Sequence, residues 1–272
     1  MSSPASGVPF RTAFVTGAST GLGRAFCDRL LAEGVEVWGT ARDRARLPAR
    51  AGFHPVVLDL ADGAAAEAAF AAAEREAGGF DLVINNAGYG VFGGFADTDF
   101  AVWQRQMEVM LVHTARLAHA ALRGLVARRR GALVNVSSLA AEFPLPFQPA
   151  YNVVKAGLSA LSESLMFETQ GSGVCVIDFR PGDYRTDFEG SVQRPPQPAD
   201  PRRDRVWAAF ARMMAGGPAP ERAADDLWRA LRRGRSGTVR TGRAFQAVVG
   251  PFLARLGPLA LRRRVLAWYH GL

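Results

Sequence analysis

Short apolar segments alternate with longer helix-like segments along most of the chain, and this alternation constrains the fold more than any other feature. Six apolar segments have the length and composition of buried strands, and they cover residues 12–16, 35–40, 55–58, 81–84, 132–136 and 173–179. Strands that alternate with helices are joined by right-handed crossovers and therefore lie parallel in one sheet. The sequence thus predicts an α/β fold with a doubly wound parallel sheet, covered by helices on both faces.

The helices between these strands are predicted from apolar residues at helical spacing. They cover residues 24–33, 63–77, 99–126, 150–169, 205–214 and 221–233. The length of 272 residues fits one large α/β domain, so we expect a single domain over residues 1–272.

Within this domain we expect a core at residues 10–188, after an unstructured start at residues 1–10. Residues 189–220 are rich in proline and glycine, which is typical of a lid over a substrate site. A short last strand at residues 238–241 precedes a tail over residues 243–272, which is predicted to be helical.

The net charge of +8 raises the question of a nucleic-acid or membrane partner. The arginines are scattered, however, and no zinc-finger or RNP-type pattern accompanies them, so no nucleic-acid partner is expected. No segment approaches the roughly 18 apolar residues of a transmembrane helix, and the first residues lack the apolar core of a secretory signal. Cys27 and Cys175 have no metal-ligand spacing and are interpreted as buried free thiols in a reducing compartment. We therefore expect a cytoplasmic protein without a transmembrane span or a metal site.

A glycine-rich turn follows the first strand and contains Gly17, Ser19, Thr20, Gly21, Leu22 and Gly23. A turn between a strand and a helix points backbone N–H groups at a phosphate, and its glycines permit close approach. The spacing is G-x-x-x-G-x-G, which differs from the G-x-G-x-x-G dinucleotide fingerprint, so an ordinary strand–helix turn is the alternative.

Residues after the second and third strands indicate the kind of cofactor. An acidic residue at the end of the second strand holds the ribose of NAD, whereas an arginine there accommodates the phosphate of NADP. This chain has Arg42, which favours NADP(H), with NAD(H) possible; a surface arginine is the alternative. Asp59 and Leu60 are candidate adenine contacts, although Asp59 could equally cap the next helix. Asn86, Ala87 and Gly88 follow the fourth strand and would form a small-residue floor beside the cofactor.

Tyr151 and Lys155 are four residues apart, so they share one face of a predicted helix. Lys155 is the only lysine among the 33 basic residues, which suggests that an ammonium group is needed there, since a lysine pKa can move and an arginine pKa cannot. Ser138 lies thirteen residues before Tyr151, just after the fifth strand. The alternative is an ordinary surface lysine.

Together these motifs resemble the short-chain dehydrogenase/reductase (SDR) family in its single-domain form, with a Rossmann-like fold. The matching segments are residues 16–23, 85–88, 138, 151–155 and 181–182, and the resemblance is strong over residues 10–190.

The resemblance implies that Tyr151 is the general acid or base and that Ser138 holds the substrate oxygen. Lys155 would bind the nicotinamide ribose and, with the oxidised nicotinamide, lower the pKa of Tyr151. The resemblance also implies cofactor contacts from Pro181, Gly182, Tyr184 and Thr186, as well as a homodimer or homotetramer.

Three residues depart from the family pattern. Two of them, Met110 and His113, stand where the family has Asn-x-x-Gly. Methionine is a poor replacement in a proton relay, and His113 is either a relay or, as we favour, a packed helix residue. Tyr184 replaces a small aliphatic residue, and it either narrows the pocket or tilts to the surface.

The resemblance predicts an NADPH-dependent oxidoreductase that reduces a carbonyl, or oxidises the corresponding alcohol, of a hydrophobic small molecule. Apolar and aromatic residues are expected to line its substrate pocket, namely Tyr89, Phe92, Phe143, Phe147 and Phe188. One alternative is a family member that binds NADP(H) as a redox-neutral enzyme, a sensor or a scaffold. The basic tail is expected to dock on the domain or a second subunit, and a membrane-surface helix is the alternative.

Overall fold

The structure is a computed structural model that describes residues 10–249, 251 and 258–272. Seven parallel strands form one sheet in the order β3-β2-β1-β4-β5-β6-β7. They are β1 (Thr12–Val15), β2 (Glu36–Ala41), β3 (Phe53–Val57), β4 (Leu82–Asn85), β5 (Gly131–Val136), β6 (Val174–Pro181) and β7 (Gly237–Thr241). The predicted doubly wound parallel sheet is confirmed.

Eight α-helices are described. They are α1 (Gly21–Ala32), α2 (Gly63–Ala77), α3 (Phe100–Met107), α4 (His113–Arg128), α5 (Pro149–Glu168), α6 (Pro201–Ala215), α7 (Pro220–Arg232) and α8 (Leu259–Tyr269). Helices α1 and α7 pack on one face of the sheet, while α2, α4 and α5 pack on the other.

Alternation along β1 places its side chains in two separate cores. Val15 belongs to the core beneath α1 and α7, whereas Phe14 belongs to the core beneath α2, α4 and α5. The Phe14 ring meets Phe70 edge to face, with ring centroids 5.0 Å apart. This burial on both faces explains why the strands are continuous apolar runs in the sequence.

The long helix predicted over residues 99–126 is interrupted. It begins at Phe100, because the Asp99 side chain accepts a hydrogen bond of 2.9 Å from the Ala101 N–H and caps the helix. A wider π-helical turn at Glu108–Val112 separates α3 from α4. Such single turns in α-helices often lie at functional sites, and this one contains Met110.

Two other boundaries differ for identifiable reasons. Strand β3 begins at Phe53 and contains Pro55, which is tolerated because β3 is the edge strand of the sheet. Helix α6 begins at Pro201 rather than residue 205, because Asp200 caps it by accepting from the Arg202 N–H at 2.8 Å.

The segment predicted as a lid is tied to the loop after β4. Gln193 exchanges backbone hydrogen bonds of 2.9 Å with Gly90 and Phe92. The predicted unstructured start lies outside the described residues except for Phe10, as do residues 250 and 252–257 of the predicted tail. Within the described part of the chain, no helix is both long and apolar enough to cross a membrane.

Candidate active site

The glycine-rich turn joins β1 to α1 and leaves no room for side chains. Gly17 and Gly21 have φ values of +70° and +55°, a region that favours glycine. A Cβ atom on Gly17 would lie 2.9 Å from the Ala87 Cα atom, and a Cβ atom on Gly23 would overlap the Gly17 carbonyl oxygen. Thr20 makes no side-chain cap, so the first N–H groups of α1 have no capping side chain. This cradle fits the phosphates of a dinucleotide.

Amide side chains fix the floor beside this turn. The Asn86 side chain donates to the Thr16 carbonyl at 2.9 Å, and the Thr16 hydroxyl accepts from the Asn86 and Ala87 N–H groups. Asn85 donates to the Asn135 side chain at 2.9 Å and thereby links β4 to β5. These bonds hold residues 86–88 at the carboxyl edge of the sheet.

Arg42 and Arg46 both line the cavity at the end of β2 and are exposed. The Asp43 side chain instead caps a short turn by accepting from the Ala45 N–H at 2.9 Å, and Arg46 is the last residue of this turn. Arg46 was not predicted, although its i, i+4 spacing from Arg42 was a possible signal. Asp59 and Leu60 also line the cavity, and the Asp59 carboxylate accepts from the Ala61 N–H at 2.9 Å.

The structure brings Ser138, Tyr151 and Lys155 together on one cavity wall. Ser138 follows β5, and its hydroxyl accepts from the Ala140 N–H at 3.0 Å. Tyr151 and Lys155 lie in the first turns of α5, and both are buried. The Lys155 ammonium donates to the Val136 carbonyl at 2.8 Å and lies 5.4 Å from the centroid of the Tyr151 ring.

Burial governs the protonation of this pair. It raises the pKa of Tyr151 to about 12, against a hydrogen bond with Ser138 that lowers it, and the Asp183 charge raises it further. Burial lowers the pKa of Lys155 to about 8, against the charge of Asp178, which raises it. The expected lowering of the Tyr151 pKa is not found in the protein alone, because the effect of burial is larger than that of the Ser138 hydrogen bond.

A buried polar network beneath Lys155 was not predicted. Asp178 is 1% exposed and accepts from Ser137, from Ser159 at 2.8 Å and from Arg180 Nε at 2.7 Å. Arg180 also donates to Glu142 at 2.5 Å. The sequence signal was the pair of charged residues two apart in an otherwise apolar strand, a spacing that puts both on one face.

The three departures from the family pattern have definite positions. Met110 is buried, and its Sδ atom accepts from the Tyr89 N–H at 3.4 Å. The interpretation of His113 as a packed residue is supported, because its Nδ1 atom lies 2.6 Å from the Leu60 carbonyl oxygen, at the end of β3. Tyr184 is 2% exposed and bonds Thr241 at 2.5 Å, so the surface-tilted alternative is wrong.

One cavity of about 1480 Å³ runs from the glycine-rich turn past Tyr151 to helix α6 and the tail. Its lining includes the predicted pocket residues Tyr89, Phe143 and Phe188 and the predicted contacts Pro181, Gly182, Tyr184 and Thr186.

Phe92 and Phe147 lie outside this lining, which corrects their prediction as pocket residues. The two rings pack on each other at 5.7 Å, and Phe92 packs on Trp207 of α6 at 5.1 Å. They therefore connect the loop after β4 to the lid helix instead of facing a substrate.

Several lining residues were missed because they come from the lid and the tail. Helix α6 contributes Phe210, Met213 and Met214, and the tail contributes Gln246, Leu266, Tyr269 and His270. Their positions depend on packing between distant segments, which local sequence patterns do not reveal. Among the described residues, no group of His, Cys, Asp and Glu side chains could hold a metal ion.

A dinucleotide cradle and a Ser–Tyr–Lys group on one cavity define a nicotinamide-dependent oxidoreductase. The family model described as short chain dehydrogenase matches residues 11–197. An uncharacterised oxidoreductase of Myxococcus xanthus is 36% identical over 197 residues, which are 68% of this chain and 77% of that protein. A short chain dehydrogenase of Pseudocercospora fijiensis is 34% identical over 188 residues, or 65% of this chain, and this match spans only 61% of that protein.

Solved structures share the fold over nearly the whole chain. A short-chain dehydrogenase from Streptomyces avermitilis has a TM-score of 0.82 at 26% identity, covering 97% of this chain and 98% of its own. A Burkholderia phymatum short chain dehydrogenase/reductase in complex with NAD has a TM-score of 0.79 at 21% identity and covers 92% of this chain and 93% of its own. A Sphingobium yanoikuyae short-chain dehydrogenase in complex with NADPH has a TM-score of 0.72 at 24% identity and covers 94% of this chain and 95% of its own. The chain belongs to the short-chain dehydrogenase/reductase family and is an NAD(P)-dependent oxidoreductase.

Proposed function

We propose that this oxidoreductase uses NADPH to reduce the carbonyl group of a hydrophobic small molecule, and that it oxidises the corresponding alcohol in reverse. The observation that carries the proposal is the placement of Ser138, Tyr151 and Lys155 on the wall of the cavity that also contains the glycine cradle. The bound cofactor supplies the hydride.

Each of the three residues has a role that its geometry supports. Tyr151 donates a proton to the carbonyl oxygen, and a pKa of about 12 keeps its phenol protonated at neutral pH. Ser138 holds the same oxygen, since its hydroxyl lies near enough to the phenol to lower the pKa of Tyr151 against the larger effect of burial. Lys155 binds the ribose of the cofactor, and its ammonium is fixed by the Val136 carbonyl.

The preference for NADPH is proposed from charge at the end of β2. Arg42 and Arg46 both line the cavity at this end, and guanidinium groups bind phosphate well. Asp43, which follows Arg42 in the sequence, is engaged as the cap of the short turn at Arg44–Arg46. The similar structures contain NAD in one case and NADPH in another, so the choice rests on these arginines.

The cavity wall supports a largely hydrophobic substrate. Phe143, Phe188, Phe210 and Met213 lie along it, and Tyr151 packs against Phe188 with ring centroids 5.9 Å apart. We also propose that residues 189–220 act as the lid, because α6 supplies part of this wall.

The proposal is tested by following NADPH oxidation against aromatic, alicyclic and long-chain ketones, with NADH in parallel. Tyr151→Phe should abolish turnover while NADPH binding persists, because the variant loses only the proton donor. Arg42→Ala should weaken NADPH binding and leave NADH binding nearly unchanged. Arg44→Ala is the matched control, since Arg44 is absent from the cavity wall and bonds the Pro55 carbonyl. NADPH turnover that survives in Tyr151→Phe would contradict the mechanism.

Met110 supports a second candidate function, in which the protein binds NADP(H) as a redox-neutral enzyme, a sensor or a scaffold. Its thioether accepts from the Tyr89 N–H and cannot donate a proton, so this helix position lacks the amide of the family's relay. Tight NADPH binding without consumption across the ketone panel would favour this candidate. Met110→Asn would then be expected to restore turnover.

A homodimer or homotetramer is also proposed. Val153 and Phe167 on α5 are 51% and 74% exposed, and Val126 on α4 is also exposed. Apolar side chains at such positions are typical of subunit contacts. Light scattering after size exclusion tests the assembly, and a monomer at micromolar concentration would contradict it.

A further inference from the structure

The tail carries polar groups to the far end of the active-site cavity. Tyr269 is the last residue of α8, and both Tyr269 and His270 line the cavity. The end of the tail is held against the lid, because Gly271 lies next to Ala209 and Arg205 of α6. The wall around these residues is mainly apolar, with Phe210, Met213 and Leu266 among its members.

Gln246 connects Tyr269 to a carboxylate beside the catalytic residues. Its Nε2 atom donates to Asp183 and also to the Tyr269 hydroxyl oxygen, at 2.7 Å for the latter. Both acceptors require the amide nitrogen, so the orientation of the Gln246 amide is fixed by its partners. Its Oε1 atom is buried and has no hydrogen-bond partner among the described residues.

This arrangement determines what Tyr269 and Asp183 can offer to a ligand. The Tyr269 oxygen accepts from Gln246, so the phenol proton remains available for donation to a group in the cavity. The Asp183 carboxylate also lines the cavity and has more acceptor sites than Gln246 occupies. A donor and an acceptor are therefore held together at a fixed separation by one amide.

A second observation points to a polar ligand at the same place. His270 is 5% exposed and lines the cavity, yet its ring nitrogens form no hydrogen bond with the part of the chain that the structure describes. Burial lowers its pKa to about 4, so the ring is neutral and offers one donor and one acceptor. A ligand or water in the cavity can pair with these ring nitrogens.

We propose that Asp183, Gln246 and Tyr269 form a subsite for a hydroxyl group that the substrate carries apart from its reacting carbonyl. The hydroxyl donates to Asp183 and accepts from Tyr269. This inference rests on the proposed carbonyl reduction and narrows its substrate class to hydroxylated apolar ketones. Gln246 positions the two contact residues, because its amide nitrogen donates to both of them.

The charges around the subsite select a neutral hydroxyl. The Asp183 carboxylate repels a carboxylate or phosphate on the substrate. Burial raises the pKa of Asp183, against the Gln246 hydrogen bond and the Arg243 charge, which lower it, and the positive charge of Arg243 opposes a substrate ammonium. A hydroxyl avoids both costs and satisfies the donor and the acceptor together.

The test measures binding, so it does not depend on turnover. Calorimetry follows the binding of paired ketones to the protein saturated with NADP⁺, which cannot transfer a hydride to them. The probes are an α-tetralone and a steroid ketone, each with and without a hydroxyl at the end remote from the ketone. We expect one hydroxylated ketone to bind about tenfold to a hundredfold more tightly than its parent, as one hydrogen bond to a charged group provides.

Two variants identify the cause of any preference. Tyr269→Phe keeps the ring and removes the hydroxyl, so it should abolish most of the preference. Trp268→Phe is the matched control on the same helix, because Trp268 is 78% exposed and is absent from the cavity wall; it should keep the preference. The proposal is overturned if neither hydroxylated ketone binds more tightly than its parent, or if the preference survives in Tyr269→Phe.

Turnover is measured separately with NADPH and the same ketones. Preferential binding of a hydroxylated ketone without NADPH oxidation would support the subsite and contradict the reductase proposal. Oxidation of NADPH by both members of each pair, with equal affinity, would support the reductase proposal and contradict the subsite.

Discussion

Removing the charge of Asp178 should change both the stability of the protein and the pH dependence of its reaction. Asp178 is buried, and it accepts hydrogen bonds from Ser137, Ser159 and Arg180. In Asp178→Asn, the buried Arg180 guanidinium loses one of its two carboxylate partners and keeps Glu142. Removal of one partner of a buried ion pair lowers the free energy of unfolding by about 3–5 kcal/mol. For a domain of this size, that loss lowers the Tm by roughly 6–20 °C.

Asp178→Asn should also change the pH dependence of activity, through the pKa of Lys155. The Asp178 charge raises the Lys155 pKa, which burial lowers to about 8, so Asp178→Asn should lower that pKa further. In the proposed mechanism Lys155 binds the ribose as an ammonium, so we expect activity below its pKa and loss of activity as the pH rises through it. The alkaline limb of the kcat/KM profile should therefore begin near pH 8 in the wild type and at lower pH in the variant.

The assay is NADPH oxidation at saturating cofactor and low ketone concentration, across neutral and alkaline pH and well below the Tm of each protein. Glu142→Gln is the control, because Glu142 bonds Arg180 and Arg240 but is not among the charges that shift the Lys155 pKa. An alkaline limb at the same pH in wild type and Asp178→Asn would refute the reasoning, whatever the change in Tm.

Three further outcomes are expected. Gly23→Ala should abolish NADPH binding, measured by fluorescence titration, because its Cβ atom would overlap the Gly17 carbonyl oxygen; a retained Kd would contradict the cradle. Phe14→Ala should lower the free energy of unfolding in urea by about 3–5 kcal/mol, since the ring is fully buried between Phe70 and Phe80. His113→Ala should raise the KM for NADPH through loss of the bond to Leu60 and leave the pH–rate profile unchanged; a shifted profile would revive its role as a proton relay.

The parts of the molecule that were predictable from the sequence depend on local patterns. Burial on both faces makes the central strands continuous apolar runs, so these strands and the parallel sheet were predictable from sequence alone. Tyr151 and Lys155 were paired correctly because four residues is just over one helical turn. The start of β3 was missed because an edge strand tolerates Pro55, which elsewhere argues against a strand.

The remaining parts depend on contacts between segments far apart in the chain. Phe92 and Phe147 looked like pocket residues because they are aromatic and follow the strands, yet the direction of each ring is decided by packing, including that of Phe92 on Trp207 in the lid. Gln246 reaches Asp183 across 63 residues of sequence, and no short-range pattern indicates that contact. The residues at the far end of the cavity therefore could not be predicted from the sequence alone.

Two carboxylates, Asp178 and Asp183, each raise the pKa of one of the residues Lys155 and Tyr151. The Asp178 charge raises the pKa of Lys155 and favours the ammonium, while the Asp183 charge raises the pKa of Tyr151 and favours the neutral phenol. Reduction of a carbonyl needs both states at once, a phenol that can donate a proton and an ammonium that binds the ribose. Oxidation of an alcohol needs the phenolate, which burial and the Asp183 charge both oppose. These carboxylates lie on β6 and just after it, so one strand end favours the two protonation states that the proposed carbonyl reduction needs.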